Sequence, residues 1–190
     1  MFVCLVLFFP GVVLGQSALD SLMNRLDAAI ENHKVYQQQK EERIQSLKNQ
    51  LRTISPNTIE EYRLNANLYD EYRPYICDSA IHYKNRNIDI AKYLNNTALL
   101  YESELSLAFL MASTGMYLEA VDLISSIEMA KVPDNLLSEY YNTYRHVYSE
   151  LAFYTQNKKG AERYWQISNR YTDSLYNVLS TTDDLYYALR

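Results

Sequence analysis

Tyrosine is the most unusual feature of this 190-residue chain, which carries nineteen of them. One predicted helix places four tyrosines beside an arginine: Tyr140, Tyr141, Tyr144, Tyr148 and Arg145. A tyrosine ring can bury its body and keep its hydroxyl at a wet surface, which suits a groove for a peptide or a glycan. Trp165 could serve as a platform in the same way. These six residues are the predicted ligand or partner surface.

A second interpretation of the same tyrosines is structural. Aromatic side chains that recur every four residues share one helix face, so they can fill the core of a repeat and form hydrogen bonds at its margin. The spacing of Trp165 from the neighbouring tyrosines also fits a core anchor. The sequence therefore leaves both interpretations open.

Patterns typical of catalytic and metal sites are missing from the chain. The three histidines, His33, His82 and His146, are far apart, and none belongs to a pair that would put two metal ligands on one helix face. There is no nucleophile elbow, no phosphate-binding loop and no dinucleotide fingerprint. We therefore predict a protein that is not an enzyme and that needs neither a cofactor nor a metal ion.

Composition points to helices. The chain has 18 Lys and Arg residues against 23 Asp and Glu residues, a net charge of −5, so it lacks the basic surface that nucleic acid binding requires. Four Gly and four Pro are far below the roughly 12% of an average protein, which disfavours turn-rich sandwiches and barrels. With 48% hydrophobic residues the chain can still bury a core. The prediction is an all-α fold that binds no nucleic acid.

The N-terminal end has the pattern of an export signal. Residues 1–14 carry no charge, and the hydrophobic run of residues 2–9 is much shorter than the ~20 residues that cross a bilayer. We predict a signal peptide over residues 1–15, although no Lys or Arg precedes the run. A buried N-terminal helix is the alternative. After cleavage Cys77 is the only cysteine, so no intramolecular disulfide can form.

Helical periodicity divides the mature chain into an N-terminal helical pair, residues 16–56, and a repeat region, residues 57–190. An apolar stripe marks one face of the first helix: Leu19, Leu22, Leu26 and Ile30. Asn57 with Glu60 predicts the capping box of the third helix, and the last long helix is expected after residues 157–160. Short connections make successive helices antiparallel neighbours, about eight in all.

One predicted hairpin is similar to a tetratricopeptide unit. The residues that carry the similarity are Leu107, Ala108, Met111, Gly115, Tyr117, Ala120, Ile124, Ile127 and Pro133. In such a unit the small residues let two helices pack closely, and the proline closes a period of ~34 residues. The similarity implies antiparallel hairpins stacked into a right-handed helical repeat array.

A longer resemblance covers nearly the whole mature chain. It rests on QKEERIQSLK at residues 39–48, LYDEY at 68–72, DSAIHY at 78–83, LAF at 107–109, GMY at 115–117 and YTDSL at 171–175. In these segments the chain resembles an uncharacterised family from Gram-negative gut bacteria. Its members combine a signal peptide, a periplasmic tetratricopeptide-like region, one transmembrane helix, a coiled coil and a helix-turn-helix DNA-binding domain.

The resemblance implies a non-enzymatic periplasmic sensor or protein-interaction domain, the N-terminal part of a membrane-anchored transcriptional regulator. Its partner would be a protein, a peptide or a small ligand, and only a downstream segment would attach it to the inner membrane. We expect a truncated chain, because residues 180–184 have the pattern of a helix start and only residues 185–190 follow. A stand-alone exported helical-repeat adaptor is the alternative.

Overall fold

The computed structural model describes residues 13–179 and residue 185. These residues form eight α-helices, two short 3₁₀ turns and no strand, which confirms the predicted all-α class and the number of helices. The helices are α1 Val13–Glu31, α2 His33–Leu51, α3 Ile59–Tyr72, α4 Cys77–Tyr93, α5 Thr97–Ser113, α6 Tyr117–Ser125, α7 Leu137–Tyr154 and α8 Lys158–Val178. The 3₁₀ turns, Met129–Lys131 and Asp134–Leu136, connect α6 to α7.

The chain divides into two compact units, residues 1–45 and residues 46–190. In the first unit, α1 carries the predicted apolar stripe, whose four side chains are all exposed: Leu19, Leu22, Leu26 and Ile30. Most of the predicted signal peptide, and the predicted helix start at residues 180–184, lie outside the described residues. Across the described part of the chain, no helix combines the length and the apolar character needed to cross a bilayer.

The second unit is a series of helical hairpins. Each of the helices α3 to α5 packs against the next one along the chain. From there α5 contacts both α6 and α7, and α7 packs most extensively against α8. The pairing of α5 with α7 brings alternate helices together, so one side of this unit is built from the odd-numbered helices.

The hairpin of α5 and α6 has the features expected of a close-packed pair. Gly115 follows the end of α5 and has a φ near 90°, a backbone conformation that residues with a Cβ rarely adopt. The Met116 N–H donates to the Met111 carbonyl at 2.9 Å, which closes the helix end. Ala108 and Ala120 are fully buried, as the similarity to a tetratricopeptide unit predicts.

The predicted cap of α3 is wrong by one position. Thr58, not Asn57, accepts a hydrogen bond from the Glu61 N–H, at 3.2 Å. Asn57 has a positive φ of 57°, which turns its side chain toward Arg86 of α4, whose Nη2 donates to it at 2.9 Å. The Glu61 carboxylate, rather than that of Glu60, accepts from the Asn57 N–H and forms an ion pair with Arg86 at 2.7 Å. This network joins α3 to α4.

Candidate binding groove

Two of the tyrosines of the predicted surface belong to the hydrophobic core. Tyr140 is 4% exposed and Tyr144 is 7% exposed, and both lie in the cluster formed by α5, α6 and α7. The Tyr144 hydroxyl donates a hydrogen bond to the Ile124 carbonyl of α6. Burial raises the pKa of Tyr144 well above its ordinary value. This geometry favours the structural interpretation for these two residues.

Tyr171 of α8 joins the same cluster, although it was not among the predicted surface residues. Its ring centroid lies 4.8 Å from that of Tyr144, 6.3 Å from that of Tyr140 and 6.2 Å from that of Tyr148. Tyr141 also contacts it, at 6.4 Å. The tyrosines therefore connect α7 to α8 by ring packing.

The other two residues of the predicted surface lie elsewhere on α7 and α8. Arg145 is half-buried, its Nη2 donates to Asn142 Oδ1 at 2.9 Å, and burial lowers the pKa of its guanidinium. Its backbone carbonyl accepts a hydrogen bond from Ser168 of α8 at 3.0 Å. Trp165 is 44% exposed. A ligand surface on these residues stays a prediction.

A different site lies across α3, α5 and α7, with one side chain from α4. It is a groove of about 420 Å³, here named the charged groove. Five of its lining residues carry charged groups: Asp70, Arg73, Lys84, Glu102 and Glu139. The remaining lining residues are Ala66, Tyr69, Ser106, Phe109, Leu136, Asn142 and Thr143.

Hydrogen bonds across the groove hold its three helices at fixed spacing. The Tyr69 hydroxyl of α3 donates to the Ser106 carbonyl of α5 at 3.2 Å. The Ser106 hydroxyl donates to the Glu139 carboxylate of α7 at 3.1 Å. Because these bonds involve the lining residues themselves, the groove is a rigid, preorganised surface.

Lys84 provides the most unusual group of the charged groove. It is 4% exposed, and its Nζ lies 4.5 Å from the centroid of the Tyr69 ring, a cation–π contact. Among the described residues its ammonium has no hydrogen-bond partner, although Glu102 and Glu139 are close enough to attract it. Burial lowers the pKa of Lys84, so the folded protein disfavours the charged form.

Glu139, on α7, is a carboxylate in the same groove, and its pKa shifts in the opposite direction to that of Lys84. Burial raises the pKa of its carboxyl group, while the hydrogen bond from Ser106 opposes that shift in part. A buried lysine with unused donors therefore shares the groove with a half-buried carboxylate that has acceptor capacity left. Such a site suits a neutral ligand that offers both acceptors and donors.

His146 lies on the same face of α7 as Glu139, two turns further along the helix. Its ring stacks on Phe109 with 4.0 Å between centroids, and its Nε2 lies 2.8 Å from the Ser113 hydroxyl. Burial, aided by the positive charge of Arg145, lowers the pKa of His146 to about 4. The imidazole is therefore neutral at pH 7. Within the described residues, no group of three or more His, Cys, Asp or Glu side chains could hold a metal ion.

Sequence reasoning missed the charged groove because its residues come from four helices. One signal was nevertheless present: Lys84 follows Ala80 by four residues and precedes Ile88 by four, so it lies on the core face of α4. A lysine at a core position is rarely buried without a partner. That signal marks Lys84 but not the carboxylates that face it.

Comparison with known proteins identifies the family of the chain. A family model described as the SusR N-terminal TPR domain, where TPR denotes the tetratricopeptide repeat, matches residues 30–190. No curated protein and no solved structure matches the chain. Tetratricopeptide-like domains are generally non-catalytic modules that bind other proteins. The chain therefore belongs to the family of SusR N-terminal TPR domains.

Proposed function

We propose that this domain is the non-enzymatic sensing part of a membrane-anchored transcriptional regulator, and that it works in the periplasm. The uncharged, apolar residues 1–14 support export. The resemblance of the mature chain to periplasmic parts of such regulators supports the sensing role. A conformational change caused by partner binding would then be transmitted to a downstream membrane segment.

The charged groove is the proposed binding site, and Lys84 is the observation that carries this proposal. The Lys84 residue is only 4% exposed, yet its Nζ is not sealed from solvent and forms no hydrogen bond with the described residues, so its N–H donors are open to a ligand in the groove. Three carboxylates line the groove, against the two cations Lys84 and Arg73, so the excess of negative charge disfavours an anionic ligand. A neutral group that accepts from Lys84 and donates to Glu139 fits best.

A peptide backbone has this combination of groups, because each residue offers one carbonyl acceptor and one N–H donor. We therefore propose that an extended segment of a partner protein lies in the charged groove. A carbonyl of this segment would accept from Lys84, and a nearby N–H would donate to Glu139. The ring of Phe109 would contact an apolar side chain of the segment.

Site-specific crosslinking in cells tests the groove. A photoreactive benzoylphenylalanine at Asn142, which lines the groove, should give a crosslinked product that Lys84→Met reduces at least several-fold. The matched control is the same photoreactive residue at Glu162, an exposed position on α8. Equal crosslinking from both positions, or a product that Lys84→Met leaves unchanged, contradicts binding in the charged groove.

Fractionation of cells tests the cellular context separately. An antibody against residues 34–54 should detect a protein well above 22.3 kDa in the inner membrane if the domain belongs to an anchored regulator. A soluble periplasmic product near 22.3 kDa would instead support the stand-alone adaptor. The groove could bind a partner in either case, so the two experiments fail independently.

A further inference from the structure

A second groove lies on the other side of α5, between α4 and α6. It encloses about 700 Å³ and is here named the α4–α6 groove. Apolar side chains of α5 and α6 form much of its lining: Leu100, Leu107, Met111 and Leu123. None of these elements belongs to the first unit, and the groove shares no lining residue with the charged groove.

Glu104 is a charged side chain within this apolar lining. The residue is 7% exposed, yet it lines the α4–α6 groove. In the part of the chain that the structure describes, its carboxylate has neither a hydrogen bond nor an ion pair. Burial raises the pKa of Glu104, and the positive charge of Lys92 opposes this shift only in part. No Glu104 oxygen is sealed from solvent, so the carboxylate is open to a ligand in the groove.

The charge around the groove has one dominant sign. Glu119 and Asp122 of α6 line it together with Glu104, whereas Lys92 is its one cationic lining residue. An approaching cation is attracted by the three carboxylates and can form an ion pair with Glu104, whose residue is largely buried. The apolar side chains beside Glu104 require a ligand that also covers hydrophobic surface.

We propose that the α4–α6 groove binds an amphipathic helix of a partner protein, with apolar side chains against Leu100, Met111 and Leu123 and a Lys or Arg paired with Glu104. An amphipathic helix in an apolar groove is a common mode of peptide recognition, and its anchors recur at spacings of three and four residues. The acidic lining selects a helix whose polar margin is basic. The inference does not rest on the charged groove.

A pair of synthetic peptides tests the proposal on the full chain. The first is a labelled amphipathic helix of about fourteen residues, or about four turns, with Leu on one face and Lys along its margin. The second has every Lys replaced by Gln. We expect the Lys peptide to bind about tenfold more tightly, the effect of one hydrogen bond to a charged group. Equal affinities would overturn the proposal.

Variants of the protein locate the binding. Glu104→Gln should reduce the preference for the Lys peptide to about threefold or less, the contribution left to Glu119 and Asp122, whereas Glu162→Gln, the same change at an exposed position on α8, should preserve it. A preference that is undiminished in Glu104→Gln overturns the assignment. Asp122→Lys changes an exposed lining position and provides a second test that does not disturb the core. It should lower the affinity for the Lys peptide by about threefold.

A second copy of this chain is the competing occupant of the groove. Sedimentation of the protein without peptide distinguishes it from a separate partner. A monomer that binds the Lys peptide supports the proposal. A dimer that Asp122→Lys dissociates, together with no binding of the Lys peptide, overturns it.

Discussion

The two faces of α7 contact chemically opposite surroundings. One face carries Tyr140 and Tyr144, whose rings are buried against α6 and α8. The other carries Glu139 and His146, which face α5 through Ser106 and Phe109. The first face gains stability from apolar area and ring packing, whereas the second holds polar groups whose pKa values are shifted by burial.

This difference shows that the most conspicuous residue type of the sequence, tyrosine, packs the core on one face of α7, while the polar groups lie on the other face. Tyrosine is unusually frequent in this chain, and the structure uses the tyrosines of α7 and α8 to join helices. The charged groove combines single acidic and basic side chains with one tyrosine, Tyr69. In α7, the high frequency of tyrosine therefore reflects core packing at Tyr140 and Tyr144.

The largest expected effect is on the tyrosine face. Tyr144→Ala should lower the free energy of unfolding by about 3–5 kcal/mol, because it removes a buried ring and leaves a cavity between α6, α7 and α8. Urea denaturation measures the loss. Tyr93→Ala, at an exposed position in α4, is the control and should cost less than about 1 kcal/mol. A small loss for Tyr144→Ala would restore the surface interpretation of this tyrosine.

The next effect is a pH dependence that comes from His146. Its pKa falls from 6.5 to about 4 on folding, so the unfolded chain binds more protons between these values. Stability should therefore decrease as pH falls from 7 to 5, by about 1–2 kcal/mol from this residue. Urea denaturation of the wild type and of His146→Gln at both pH values isolates the contribution.

His33→Gln provides the matched control for that experiment. His33 is exposed on α2, so this variant should keep the pH dependence of the wild type. Other titratable groups, among them Glu139, whose pKa is raised by burial, are present in all three proteins and cancel in the comparison. Identical pH profiles for the wild type and His146→Gln would contradict a buried neutral imidazole.

Lys84→Met should raise the free energy of unfolding, by less than Tyr144→Ala lowers it. It replaces a buried ammonium with an apolar side chain of similar length, so we expect unfolding at pH 7 to require about 1 kcal/mol more. Lys158→Met, at an exposed position at the start of α8, should leave stability nearly unchanged. A decrease for Lys84→Met would show that the Tyr69 ring and the neighbouring carboxylates stabilise the cation more than burial destabilises it.

Trp165→Ala should lower the free energy of unfolding by only about 0.5 kcal/mol, the smallest of these effects, because the residue is 44% exposed. The same urea titration measures it beside Tyr144→Ala. A loss comparable to that of Tyr144→Ala would make Trp165 a core anchor, in agreement with the second interpretation of its spacing.

Local signals predicted the helices well, apart from their ends. α3 ends two residues before Pro74, and α5 ends two residues before Gly115, as expected of residues that disfavour a continuing helix. The last helix begins earlier than expected: Asn157 caps it by accepting from the Lys159 and Gly160 N–H groups, so Gly160 lies in its first turn. Capping depends on the φ and ψ of single residues, which periodicity does not specify.

The sequence by itself determined the all-α class, the order of the hairpins and the close packing of α5 with α6, because each depends on residues near one another in the chain. Only the tertiary structure decided which face of α7 is core and which is groove. That choice depends on contacts with α3, α5 and α8, which are far away in sequence. Lys84 and Glu104 are largely buried for the same reason, since burial is a property of the packed helices and not of the residue.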